Sequence, residues 1–183
     1  FDYFDTVPNP VDTSMFKYRK KEAGDRFNVL LLRPFHSRKY ANDVAVKAIR
    51  HLSRMDNFEQ FRFSINGAGR DFARLTKSLS SFRNIDLNAP FLRHNDIAQL
   101  HRQFGIFLCP TRQDAQGVSM CEAMSSGLVP LQQFAKRLKG YVDGIIASSV
   151  AISHADSLST GDFSLMIPTT SFVNISAIFS TGS

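Results

Sequence analysis

Phe27-Asn28-Val29-Leu30-Leu31-Leu32-Arg33, stopped by Pro34, is followed by Ala41, Val44, Ala45, Ala48, Ile49, Leu52 and Met55 at helical spacing. This pair of elements decides the fold. The first run is short and almost continuously apolar, as expected of a strand buried on both faces in a parallel sheet. The second is an amphipathic helix whose apolar stripe must lie on that sheet.

The same alternation continues along the chain. Phe61-Arg62-Phe63-Ser64-Ile65 is a strand ending at Asn66-Gly67-Ala68-Gly69, and Phe72, Leu75 and Leu79 share one helical face. Asn84 to Leu87 is a short strand, Ile97, Leu100 and Phe104 mark a helix, and Gly105 to Cys109 is a strand stopped by Pro110. Val118 to Ser126 is a helix closed by Gly127, and Leu128-Val129-Pro130-Leu131 opens another strand. The expected class is α/β, a Rossmann-like parallel sheet with flanking helices. In such sheets ligands bind at the carboxyl ends of strands, so function is sought there.

Charge divides unevenly. Residues 1–140 hold all 22 Lys and Arg and carry +9, whereas residues 141–183 hold Asp143, Asp156 and Asp162 and carry −3. A basic core is compatible with nucleic acid, anionic lipid or a phosphorylated small molecule. Two cysteines, Cys109 and Cys121, make neither a disulfide framework nor a four-ligand zinc site. His36, His51, His94, His101 and His154 show no metal-ligand spacing, so no metal is expected. No apolar run is long enough to cross a membrane, and no secretory signal is read at the start; a cytoplasmic location is expected.

Arg33, Ser37, Arg38 and Lys39 follow the first strand, where cations at a helix amino end can hold a diphosphate. Gly67-Ala68-Gly69 follows the second strand, but position 72 is Phe, so the dinucleotide fingerprint is incomplete and a tight turn is the simpler reading. After the fourth strand comes Pro110-Thr-Arg-Gln-Asp114-Ala-Gln116-Gly117-Val118-Ser119-Met-Cys-Glu122-Ala-Met-Ser-Ser-Gly127. Asp114 and Glu122 can accept hydrogen bonds from sugar hydroxyls, while the first N–H groups of the helix near Gly117 and Val118 attract phosphate.

This segment resembles the nucleotide-sugar site of the GT-B glycosyltransferases, particularly the retaining family 4 (group 1), whose signature is E-x7-E followed by A-M-x-x-G and a Val/Pro strand. Here it reads Asp114-x7-Glu122, then Ala123-Met124-Ser125-Ser126-Gly127-Leu128-Val129-Pro130. Pro8-Asn9-Pro10-Val11-Asp12 and Phe16 resemble the family's interdomain P-N-G-V-D…F segment, Arg33 and Lys39 fall on its diphosphate-gripping Arg and Lys, and Asn66-Gly67-Ala68-Gly69 falls on its G-x-G turn. The first acid is Asp instead of Glu, and Tyr40 stands where the family has Gly after Lys.

The resemblance implies an interdomain lead over 1–26 and an incomplete donor-binding domain over 27–140; the loss of Lys and Arg beyond Lys139 marks an atypical Ser/Thr-rich tail over 141–183, expected to be truncated or non-native and to add little to the site. It implies a sugar transferase with Arg33, Lys39, Asp114 and Glu122 as catalytic residues. Gly67, Gly69, Gln116, Gly117, Val118 and Ser119 would be donor-binding. It implies no cofactor and no metal, the nucleotide diphosphate sugar being the donor substrate. A glycan or lipid-linked acceptor would be the second partner in polysaccharide biosynthesis, with peripheral membrane association compatible with a lipid-linked one. The amino-terminal acceptor domain is expected to lie outside this chain. Two other readings compete: a basic nucleic-acid-binding module, supported by Phe61, Phe63 and Phe82 near arginines, and a non-catalytic scaffold of the same fold.

Overall fold

The computed structural model describes residues 9–89, 91–113 and 117–131 together with Ile145. Among these, five strands form one parallel sheet: β1 (Asn28–Leu32), β2 (Arg62–Asn66), β3 (Ile85–Asn88), β4 (Ile106–Leu108) and β5 (Val129–Leu131). Their order is β3-β2-β1-β4-β5. Four helices connect them: α1 (Asn42–Leu52), α2 (Phe72–Thr76), α3 (His94–His101) and α4 (Val118–Ser125).

The two-residue period of the strands sorts the core onto two faces. Val29 and Leu31 of β1, Phe63 and Ile65 of β2, and Ile106 and Leu108 of β4 pack with Val44, Ala48, Ile49 and Leu52 of α1, and Phe72 and Leu75 of α2 pack against them. Leu30 and Phe107 point the other way and pack with Ala123 of α4, while Leu100 of α3 and Met120 of α4 pack against them. The expected strand buried on both faces is therefore β1, whose three central residues are fully enclosed.

Several boundaries differ from the sequence reading. The first helix ends at Leu52 instead of reaching Met55, because Arg54 and Met55 bond back three residues, to His51 and Leu52, and the chain leaves the sheet surface. The second helix runs only to Thr76 and tightens into a 3-10 turn over Lys77–Leu79 that still buries Leu79. A 3-10 turn over Ala23–Phe27, not anticipated from the sequence, delivers the chain into β1.

The described part of the lead is packed on the domain. Asp12 Oδ1 accepts from the backbone N–H groups of Ser14 and Met15, turning the chain so that Phe16 is buried. Phe16 lies 5.6 Å from the His101 ring, and its carbonyl accepts from Ser125 Oγ at 2.7 Å. Arg19 Nη1 donates to the Arg102 carbonyl. Lys21 Nζ donates to the His101 carbonyl, and burial lowers the Lys21 ammonium to about 8. Gly127, just past α4, has φ +85°, and a Cβ there would meet the Arg19 carbonyl oxygen at 2.5 Å. A side chain at this position therefore meets both backbone strain and the docked lead.

Apart from Ile145, which is buried among the α1-side core residues, the expected tail lies outside the described residues. The close fit at Gly127 predicts that Gly127→Ala costs roughly 1–3 kcal/mol in denaturant-induced unfolding. It should also loosen the lead, read as faster hydrogen exchange at Phe16 and Tyr18.

Candidate functional site

The strand order reverses direction between β1 and β4, and the loops leaving these two neighbouring strands diverge there. The sequence-predicted residues that the structure describes gather around this point. Arg33 to Tyr40 follows β1, Gly67 to Gly69 follows β2, and Gly117 opens α4 after the β4 loop.

The β1–β2 pairing continues beyond the strands. Arg33 N donates to the Asn66 carbonyl at 3.1 Å and Phe35 N to the Ala68 carbonyl at 2.8 Å. This lays the Arg33–Phe35 backbone directly on the glycine turn. A Cβ at position 67 would stand 1.9 Å from the Arg33 carbonyl oxygen, and one at position 69 would stand 2.3 Å from the Phe35 carbonyl carbon. The bare faces of Gly67 and Gly69 thus meet the protein's own chain. They fix the backbone that bears Arg33.

Past Phe35, whose ring packs on Phe72 at 4.9 Å, the chain makes a 3-10 turn over Arg38–Tyr40. Ser37 Oγ caps it by accepting from Lys39 N. The turn ends at Ala41, a buried residue held in the left-handed region at φ +50°. Tyr40 gathers the cations of this loop: the Arg33 guanidinium carbon lies 5.7 Å and Lys39 Nζ 4.8 Å from its ring centroid. His36 meets the same ring edge-on at 5.8 Å. Each cation–π contact contributes on the order of 0.5–1 kcal/mol at exposed positions. Arg33 itself is 6% exposed, so its charge sits at the floor of the loop, with exposed Lys39 above.

On the β4 side, Gly117 is the N-cap of α4, and its carbonyl accepts from Met120 and Cys121. The N–H groups of Val118 and Ser119 stand at the positive end of this helix, free of intrahelical partners by the geometry of a first turn. Glu122 lies one turn further in and is 9% exposed. Burial pushes its carboxyl above the ordinary glutamate value, and the His94 imidazole, with Nε2 4.0 Å from Oε1, pulls it partly back. His94 opens α3 and is itself 72% exposed. Asp114 and Gln116 lie outside the described residues.

Three contacts here were not anticipated from the sequence. His94 meets Glu122, Tyr40 collects Arg33 and Lys39, and Arg112 pairs with Asp43. The only sequence signal for Tyr40 was its place after Lys39 in a candidate ligand loop. The aromatic support for nucleic-acid binding dissolves: Phe61 and Phe63 are fully buried, and Phe82 packs against the same core. Among the described residues no cluster of three His, Cys, Asp or Glu could hold a metal ion, and no helix is long and apolar enough to cross a membrane.

The family profile of "Glycosyl transferases group 1" matches residues 26–141, well over half of the chain. The chain belongs to this family. The group 1 match extends past Pro130, the last residue of the signature quoted above, to residue 141. Comparison with curated proteins found no match.

Among solved structures, the chain is similar to the C-terminal domain of a glycosyl transferase group 1 family protein (LpcC) from Francisella tularensis. The TM-score is 0.62 at 15% identity, covering 79% of this chain and 91% of that one. It is similar to S. aureus TarM in complex with fondaparinux, α-GlcNAc-glycerol and UDP, with TM-score 0.66 at 17% identity, covering 86% of this chain and 36% of that one. It is also similar to the catalytic domain of cholesterol-α-glucosyltransferase from Helicobacter pylori, with TM-score 0.56 at 13% identity, covering 72% and 93%. These likenesses show that the parallel five-stranded sheet is the fold of GT-B C-terminal domains. The chain spans about a third of TarM, 36% of its length.

The environment of Glu122 sets a pH dependence for this group 1 domain. Its folded pKa lies above the unfolded one, so the folded chain holds the proton more tightly, and stability falls as pH rises from 4.5 through the raised value. Glu122→Gln should remove that decline. The variant is expected to be at least as stable as the wild type at about pH 7, with the difference closing below about pH 4, checked by urea unfolding across pH.

Proposed function

We infer that the chain is the donor-binding half of a retaining glycosyltransferase, which transfers a sugar from a nucleotide diphosphate sugar to a glycan or lipid-linked acceptor. One observation carries the reading. A buried Arg33 and an exposed Lys39 over one tyrosine ring lie in the loop after β1, and the neighbouring strand β4 leads to the amino end of α4, with a buried carboxylate one turn into that helix. This is an anion site joined to a hydroxyl acceptor, which fits a diphosphate joined to a ribose.

In this reading Arg33, Lys39 and the N–H groups of Val118 and Ser119 take up the negative charge that grows on the diphosphate as the sugar leaves. Such preorganised donors stabilise the transition state more than the ground state, because the charge they face is largest there. Glu122 accepts hydrogen bonds from the ribose hydroxyls, which satisfy a carboxylate that burial otherwise disfavours. Asp114 would hold the donor sugar hydroxyls, and Gln116 would also bind the donor. Gly67 and Gly69 act by fixing the backbone under Arg33. No cofactor or metal enters the scheme, and the acceptor is supplied by an amino-terminal domain. Similar solved structures contain UDP and UDP-2-fluoro glucose, which makes UDP a reasonable first probe.

Calorimetric titration with UDP and inorganic pyrophosphate tests this reading. Arg33→Ala and Lys39→Ala should each weaken both ligands by roughly 1.5–3 kcal/mol, the range for hydrogen bonds to charged groups. Equal affinities in wild type and variants would refute the diphosphate assignment. Glu122→Gln should weaken UDP more than pyrophosphate, which has no ribose; equal losses would show that Glu122 acts through the fold or the general field.

A further inference from the structure

Arg112 and Asp43 tie together two loops that diverge at the switch point. Arg112 lies three residues into the chain after Cys109, at the root of the loop leading to Asp114 and α4, and Asp43 lies in the first turn of α1. Nη1 and Nη2 of Arg112 donate to Oδ1 and Oδ2 of Asp43, both at 2.8 Å, a two-pronged pair. Nη1 also donates to the Arg38 carbonyl at 2.8 Å, and the Arg112 backbone N–H donates to the Lys39 carbonyl at 2.8 Å. Thr111 Oγ1 reaches the same Lys39 carbonyl at 3.4 Å.

The receiving turn needs this support. It is a single 3-10 turn of three residues, and it ends at Ala41, whose left-handed backbone is unfavourable for a residue with a Cβ. Inside the turn, the bonds are few and mostly long: the 3.4 Å Ser37 cap, a 3.4 Å bond from Tyr40 N to the Ser37 carbonyl, and the 3.1 Å bond from Ala41 N to the Arg38 carbonyl. The two carbonyls gripped from outside belong to Arg38 and Lys39. Both terminal nitrogens of the guanidinium are engaged on protein oxygens, so Arg112 is placed to hold backbone and not to meet a ligand. A planar, always-charged fork suits this geometry, which a lysine cannot reproduce.

We propose that Arg112, oriented by Asp43, is a positioning residue for the donor diphosphate, holding the Arg38–Tyr40 turn so that Lys39 presents its ammonium to the ligand. The proposal rests on the donor-site reading given above and extends it to a pair outside the residues that touch the donor. It also couples the two sides of the site. Thr111 and Arg112, just after β4, are tied to the turn that bears Lys39, since three hydrogen bonds from them end on carbonyls of Arg38 and Lys39.

Asp43→Asn separates positioning from plain electrostatics. Removing a negative charge near an anion site strengthens anion binding if only the field matters. Positioning predicts the opposite, because the guanidinium loses its anchor. With the 183-residue chain and inorganic pyrophosphate as probe, Asp43→Asn and Arg112→Lys should each weaken binding about three- to tenfold, the scale of coupling between neighbouring groups.

The same substitutions in a Lys39→Ala background should change affinity by less than about twofold, since the group being positioned is gone. Tighter or unchanged binding by Asp43→Asn overturns the proposal, as does a loss that persists undiminished without Lys39. Thermal unfolding confirms that each variant is folded. If Arg112→Lys is not, Asp43→Asn, nearly isosteric, decides alone. A wild-type chain that binds neither UDP nor pyrophosphate refutes the donor-site reading and this proposal with it. A wild type that binds, with variants that bind equally well, refutes this proposal alone.

Discussion

The backbone of Arg33 to Phe35 occupies the space that Cβ atoms at positions 67 and 69 would need. Much of the site follows from this close approach. It lets the β1–β2 hydrogen bonds run past the ends of both strands, so the first residues of the β1 loop are held as firmly as strand residues. A buried arginine at such a point loses little conformational freedom on meeting a ligand, because the fold has already fixed its backbone. Larger residues at 67 or 69 would push the loop away from β2 and carry Arg33 with it.

The remaining charges sit in contrasting surroundings. Arg33 and Lys39 share one aromatic face, which favours cations without neutralising them. Glu122 is buried, with the exposed His94 imidazole 4.0 Å from its carboxylate, and burial raises its pKa. By contrast Asp43, paired with Arg112, is held below the ordinary carboxylate value by the hydrogen bonds it accepts. The two carboxylates thus differ by environment: hydrogen bonds from Arg112 lower one, and burial raises the other.

The lead follows a different logic. Phe16, Arg19 and Lys21 are tied to α3 and to the end of α4 through backbone carbonyls and one buried ring. His101 beneath them is lowered to about 4 by burial and by Lys21, so it is neutral across the physiological range and serves as packing. The lead therefore reports on the position of α4, the helix whose amino end belongs to the candidate site. Movement of one would be felt by the other.

By itself the sequence determined the kinds and order of the elements, their parallel arrangement, and the edge of the sheet on which ligand loops lie. Those properties follow from short-range periodicity: Leu30 and Leu31 point to opposite faces whatever surrounds them, and the Val44, Ala48, Ile49 stripe must cover a sheet. Arg33, Lys39 and Glu122 could be singled out because they follow strands, and the structure places Arg33 and Lys39 in the loop after β1 and Glu122 in α4. Element ends were less so, since the stop at Leu52 depends on where the sheet surface runs out, not on the residues beyond it. Only the tertiary structure placed β1 beside β4, and so brought Arg112 to Asp43 across 69 residues of sequence and His94 to Glu122. It likewise showed that Gly67 and Gly69 make room for the Arg33 backbone. Such meetings are set by the handedness of crossovers and the packing of helices on opposite faces, which no local pattern encodes.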